Sequence, residues 1–280
     1  MDCIACPSNI YNYFKHLIIT FQYELEIHLI ITDISQILNL TSKKIILFGS
    51  QGLTYIDNYQ NFLSNNKIYL YNTEQLPSGK WDYIINSNIE EWWDYSLVNI
   101  SYLQNKLFNK PMKHFPFCYS PILELPLKHL NKNSITFFGT HHPRRQDICN
   151  NFHDALYKYN ILVNYNTSGN LMNESYDEFV KENMVYLNIH YYIPSILEIV
   201  RITPLLSQGH LVISERSNDE YLDRLFSPYI VWIEDLYLQD GSINVPYLLY
   251  IINNHDNNKL RESFKKLNFK NILTSNTTLT

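Results

Sequence analysis

Two adjacent arginines, Arg144 and Arg145, follow the apolar run Ser134–Phe138 and the residues Gly139, Thr140, His141, His142 and Pro143. A glycine at a strand exit permits a tight turn and a close ligand approach. Guanidinium groups match phosphate oxygens bidentately, and a helix start adds positive potential. The pair could grip a diphosphate, or sit on a solvated helix end. A second group follows Val185–Leu187: Asn188, Ile189, His190 and Tyr191, then Pro194 and Ser195, then Leu197, Glu198 and Arg201. Glu198 and Arg201 share a helical face. They could form an intrahelical ion pair, or Glu198 could accept hydrogen bonds from ribose hydroxyls. His190, at a strand end, is structural or catalytic. Glu215 follows Leu211–Ser214 and could touch a sugar or be merely exposed.

The first half offers less. Gly49-Ser50-Gln51-Gly52 resembles a phosphate-binding turn but lacks the GxGxxG pattern and the P-loop lysine. Glu74 follows one strand, and Trp93-Asp94-Tyr95-Ser96 follows another. Carboxylates and rings at strand ends suit sugars, although the rings equally suit core packing. Cys3 and Cys6 form a CxxC with no second pair at ligand spacing, so they read as incidental thiols or a metal or redox pair.

The elements that must position these residues alternate in type. Lys44–Phe48, Lys67–Tyr71 and Trp81–Asn86 read as strands, with helices over Ile56 to Leu63 and Asn99–Leu107. Pro111, Pro116, Pro121 and Pro126 break both helix and ladder, which places an inter-domain connection within 111–131. Beyond it, strands are expected at Ser134–Phe138, Ile161–Tyr165, Val185–His190, Leu211–Ser214 and Tyr229–Ile233. Helices are expected at Gln146–Tyr159, Tyr176–Glu182 and Ser195–Leu206, with helical periodicity from Tyr247 to Leu267 and a frayed tail after Phe269. The alternation predicts an α/β fold of two domains, 1–125 and 126–280, with ligands at the carboxyl ends of parallel strands.

Composition narrows the classes. The 280 residues are 45% hydrophobic, enough for a sizeable core, and 18% charged with net charge −5. No basic stripe is present, so a nucleic-acid partner is not expected. No apolar run reaches the roughly 18 residues of a membrane span, and no secretory leader is visible. Cytoplasmic localisation is the default expectation. The 23 Tyr, 7 Gly and two alanines, Ala5 and Ala155, reflect AT-rich codons, as in a large DNA virus, a protist or an AT-rich bacterium.

Taken in order, several segments resemble a group of GT-B-type glycosyltransferase-like proteins of bacteria and large DNA viruses. They are Tyr71–Leu76, Trp93–Ser96 with Asn99, Phe138–Thr140 with Arg144-Arg145, Leu187–Tyr191, Leu197–Arg201 and Val212–Glu215. The resemblance covers about residues 44 to 235. It implies two Rossmann-like domains facing each other across a cleft. The second would hold the nucleoside-diphosphate sugar (UDP or GDP) and the first would face a glycan, protein or small acceptor. It implies a metal-independent hexosyl transfer with no cofactor beyond the nucleotide-sugar co-substrate, in keeping with the absence of a DxD sequence. Donor-side residues would be Gly139, Thr140, Arg144, Arg145, Asn188, Tyr191, Ser195, Leu197, Glu198, Arg201 and Glu215. Glu198 matches the second of two glutamates that the family often spaces eight apart, the one on the ribose. The first position is His190 in this chain, which leaves the sugar contact and retention or inversion open. Glu74 and Asp94 are the candidates for a general base. The alternative is a non-catalytic GT-B-like binding protein of host cytoplasm or virion.

Overall fold

Parallel strands need crossovers long enough for a helix, and the chain supplies them twice. The computed structural model describes residues 1–79, 82–85, 88–106, 108–126, 131–167, 175–275 and 278–279. It divides into two units, Met1–Ile122 with Asn268–Thr280, and Leu123–Leu267. The division falls in the proline-rich stretch. Residues 268–280 group with the first unit and not, as expected, with the second.

Strands of the first unit are β1 (Cys3–Ala5), β2 (Ile30–Ile31), β3 (Lys44–Phe48), β4 (Lys67–Asn72), β5 (Glu91–Asp94) and β6 (Met112–His114). Those of the second are β7 (Asn131–Phe138), β8 (Leu162–Asn166), β9 (Asn183–Asn188), β10 (Leu211–Ser214) and β11 (Ile230–Trp232). A final strand, β12 (Thr278–Leu279), pairs antiparallel with β6. The other pairings within both sheets are parallel. The sheets run β12-β6-β5-β4-β3-β1-β2 and β11-β10-β9-β7-β8. In each, the second strand lies outside the first, and the order reverses between the first and third. That reversal, at β1/β3 and at β7/β9, opens the crevice in which doubly wound sheets bind ligands.

Side chains alternate across each strand, so both faces need cover. In the first unit Ile45, Leu47, Ile68, Leu70 and Trp92 enter one buried cluster. Phe48, Tyr71 and Trp93 gather around Phe21 of α1 (Ser8–Glu24), with ring centroids 5.1 to 5.9 Å from it. Phe269 completes this face at 5.0 Å from Phe21. Trp93 and Tyr95 are each 5% exposed, so these rings are core and not a sugar platform. In the second unit Ile135, Phe137, Val185, Leu187, Leu211 and Ile213 share one cluster.

Several expected elements move. Asp82–Ile84 forms a 3-10 turn where a strand over Trp81–Asn86 was expected, Trp81 and Asn86 lying outside the described residues. The strand is β5, whose leading Glu91 masks the pattern. Cys3 and Cys6 do not belong to a loose terminus. They sit in and just after β1, buried as free thiols, and burial pushes the Cys6 thiol up to about 12. The Tyr247–Leu267 pattern is two helices, Val245–Asn254 and Asn257–Phe264, the second capped by Asp256. The tail is a further helix, Phe269–Thr274, capped by Asn268. Among the described residues no helix is long and apolar enough to cross a membrane.

Candidate functional site

The carboxyl ends of β7, β9 and β10 carry the second unit's ionisable side chains. After β7, Gly139 turns the chain at φ +151°. His142 then precedes α5 (Pro143–Leu156), with Pro143 in its first turn. Arg144 and Arg145 thus lie inside the first helical turn, where the dipole disfavours cations by about 0.3–1 kcal/mol each. Tertiary partners offset this. Arg144 makes a bidentate contact with Glu215 and donates to the His190 carbonyl at 3.2 Å. Arg145, 2% exposed, donates from Nε to Ile189 O and from Nη1 to Thr140 O, both at 2.9 Å. It therefore ties the end of β7 to the end of β9 across the crevice. Its guanidinium lies 5.2 Å from the ring centres of both Phe137 and Tyr191. Burial, with Arg201 nearby, pulls the Arg145 pKa down to about 10, so it stays charged at neutral pH.

The expected helix over Ser195–Leu206 begins instead at Ile199 and ends at Ser207. The preceding loop commits its backbone elsewhere. The His190 amide donates to Glu215 Oε2 at 2.7 Å, and Ile189, His190 and Ser195 carbonyls accept from Arg145, Arg144 and the Asn218 amide. Tertiary hydrogen bonds thus replace helical ones, and Pro194 sits in the loop, not at a first helical turn. Leu197 is fully buried, while Tyr191 is 37% exposed.

Glu198 caps that helix start and meets His190. His190 Nδ1 is 2.6 Å from Glu198 Oε2, and Nε2 is 3.1 Å from Arg216 O. Both partners are acceptors only, so both ring nitrogens must donate and the ring is an imidazolium. Burial opposes its charge, but Glu198 and then Glu215 raise the His190 pKa overall. Burial likewise pushes Glu198 up, yet His190, Arg201 and Arg145 hold it well below the usual carboxylate range. Asn188 Nδ2 donates to Glu198 Oε2 at 3.1 Å and to Ser214 Oγ at 2.9 Å, and Asn188 Oδ1 accepts from Arg201 Nη1 at 2.9 Å. Arg201 Nε is buried without a partner among the described residues.

One gap in this network is lined by positive charge. A methyl group built on Gly139 would sit 3.3 Å from Arg201 Nη2 and 3.4 Å from Arg145 Nη1. Those separations are a few tenths of an ångström beyond an N–H···O contact. Gly139 is partly exposed. Around it, Arg144, Arg145, Arg201 and His190 face two carboxylates, Glu198 and Glu215, leaving positive charge in excess.

The strand exits at 139, 188 and 215 therefore meet in one network. Arg144 is corrected from a ligand contact to the partner of Glu215, itself 6% exposed. His190 is corrected from a proton shuttle to a fixed double donor. Thr140 contributes its carbonyl, and the notch between Arg145 and Arg201 was not legible in sequence.

The His190 contact gives a pH signature. Its pKa is raised on folding, so its stabilisation is complete below the unfolded value of about 6.5 and disappears as pH rises through the folded value. Urea melts should show wild type losing its advantage over His190→Asn as pH is raised from about 6 to about 9. A constant difference would mean the ring is neutral throughout.

The first unit's candidates lie apart in kind. Asp94 is fully buried. Its Oδ2 accepts from Asn72 Nδ2 and Trp92 Nε1, and its Oδ1 from the Ser96 amide and Asn99 Nδ2. With every lone pair occupied it cannot touch a substrate, which corrects its expected role as a base. Glu74 is half-buried and accepts from Gln51 Nε2 at 2.6 Å. Among the described residues no three His, Cys, Asp or Glu side chains group to hold a metal ion.

No family model and no curated protein matches the sequence. Weak likenesses exist among solved structures. The Glycosylation Associate Protein (Gap123) complex from Streptococcus agalactiae aligns at TM-score 0.47 and 13% identity, over 87% of this chain and 59% of that one. An α1,3-fucosyltransferase aligns at 0.42 and 14%, over 97% of this chain and 87% of that one. The pneumococcal O-GlcNAc transferase GtfA, in complex with UDP and GlcNAc, aligns at 0.39 and 10%, over 85% and 52%. The chain thus spans 59% of the first of these. Likeness at this level leaves the site to be read from its own geometry.

Proposed function

We propose that the chain is a metal-independent glycosyltransferase of the GT-B type whose second unit holds a nucleoside-diphosphate sugar. The carrying observation is the notch over Gly139, at the switch between β7 and β9, flanked by the Arg145 and Arg201 guanidiniums. A diphosphate oxygen seated there would take charge-assisted hydrogen bonds from both and offer an acceptor towards Arg201 Nε. Glu198 Oε1, whose only contact is Arg145 Nη2 at 3.9 Å, is placed to accept from ribose hydroxyls. His190 and Asn188 hold the carboxylate for that purpose. Glycosyl transfer leaves negative charge on the departing nucleotide, and fixed cations in a partly buried site stabilise it. The acceptor, a glycan, a protein or a small molecule, would be the first unit's ligand.

The saturation of Arg144 by Glu215 favours a second reading, a binding protein that holds the nucleotide without turnover. Calorimetric titration with UDP, GDP and their hexose conjugates tests the first. Binding is expected, and a ligand at about a hundred times its Kd should stabilise the fold by roughly 2.7 kcal/mol. Silence towards every nucleotide overturns both readings. Binding without release of free nucleotide in the presence of acceptors leaves only the second.

A further inference from the structure

Four donors converge on the buried Asp94 carboxylate, and two of them reach onward to a single residue. Asn72 and Asn99 donate to Asp94 at 2.8 and 2.9 Å and to the Glu74 carbonyl at 2.9 and 2.8 Å. Asn72 Oδ1 accepts from the Glu74 amide at 3.0 Å, and Asn99 Oδ1 from the Leu76 amide at 2.9 Å. The turn after β4 is thus held at both backbone atoms of Glu74. Its side chain is held by one hydrogen bond, from Gln51 to Oε1. Oε2 carries none among the described residues. A buried carboxylate is costly unless saturated with donors, and an apolar residue at 94 would pack more simply. What the network achieves is a fixed carboxylate with one oxygen open, the geometry that proton transfer requires.

We infer that Glu74 accepts the proton of an attacking hydroxyl and that Asp94, Asn72 and Asn99 are its positioning residues. The inference rests on the transferase reading. In that step the acceptor oxygen bonds to the anomeric carbon as the bond from that carbon to the diphosphate oxygen breaks. The bonding pair leaves on the diphosphate, and the hydroxyl proton passes to Glu74 and then to solvent. Burial pushes the Glu74 carboxyl up to about 7, where a base is effective at neutral pH. The groups facing it are the amides of Gln51, Asn72 and Asn99, and the one charged member of the network is Asp94.

Carbon-13 NMR of glutamate-labelled protein tests the positioning directly, with Glu74→Gln assigning the resonance. Wild type should titrate near 7, as burial dictates. Asn99→Ala should bring the value down by at least about one unit, because a loosened turn lets the carboxylate hydrate. Gln51→Ala should move it up, because the lost bond favoured the charged form. An ordinary carboxylate value in wild type, or the same value in all three proteins, overturns the inference.

Release of nucleotide from UDP- or GDP-hexose, with water as acceptor, tests the proton transfer. Glu74→Gln should lose about a hundredfold or more in rate, together with the inflection in the pH profile, while calorimetric nucleotide binding is kept. Unchanged release with binding intact overturns the Glu74 assignment alone. A wild type that binds no nucleotide overturns the transferase reading instead, and the NMR titration still decides the positioning.

Discussion

Replacing Glu198 by alanine is expected to cost the second unit about 3–5 kcal/mol, the penalty for breaking a buried ion pair from one side. The loss is large because Glu198 has several dependants. His190 Nδ1 loses its acceptor at 2.6 Å, Asn188 Nδ2 loses one of its two, and Arg145 loses its nearest carboxylate. An imidazolium and a guanidinium then remain buried together. The ring can discharge to neutrality, but its Nδ1 then faces a void. Calorimetry should show one transition falling by on the order of 10 °C, with the first unit's transition unmoved. Glu198→Gln should recover part of the loss, since an amide keeps the shape and one acceptor. A melting point for Glu198→Ala within a degree of wild type would show that the network carries little energy.

Gly139→Ala is expected to abolish anion binding while leaving the fold standing. At φ +151° an L residue is strained by about 1–3 kcal/mol. The added methyl would lie between Arg201 Nη2 and Arg145 Nη1 and 3.3 Å from Phe137 Cζ. It would occupy the place proposed for a phosphate oxygen without replacing its hydrogen bonds. Nucleotide affinity should fall at least about tenfold, or ~1.4 kcal/mol. Circular dichroism at 25 °C should match wild type. Retained affinity in a folded Gly139→Ala protein would remove the diphosphate from this notch.

Much of this architecture is legible in the sequence, for reasons that differ by element. β3, β4, β7 and β10 are apolar runs of the right length bounded by turn residues, and their positions are clear. β1 has three residues and β5 begins with a buried Glu91, so neither shows a pattern of its own. The site residues were found because strand exits in parallel sheets are where ligands bind. Their individual tasks were not, because each depends on a partner far along the chain. Arg144 meets Glu215 and Glu74 meets Asn99 only through the winding of the sheets. The helix expected at Ser195 failed for the same reason: its carbonyls and amides answer to α5 and β10.

Phe269 has a consequence for how the protein is made. Its ring packs on Phe21 and lies 6.1 Å from Phe117, so residues near both ends of the chain share one aromatic cluster. During translation the amino-terminal sheet emerges first, yet this face stays uncovered until the ribosome has passed codon 269. The carboxyl-terminal unit can complete its own core beforehand, so the order of maturation should run opposite to the order of synthesis.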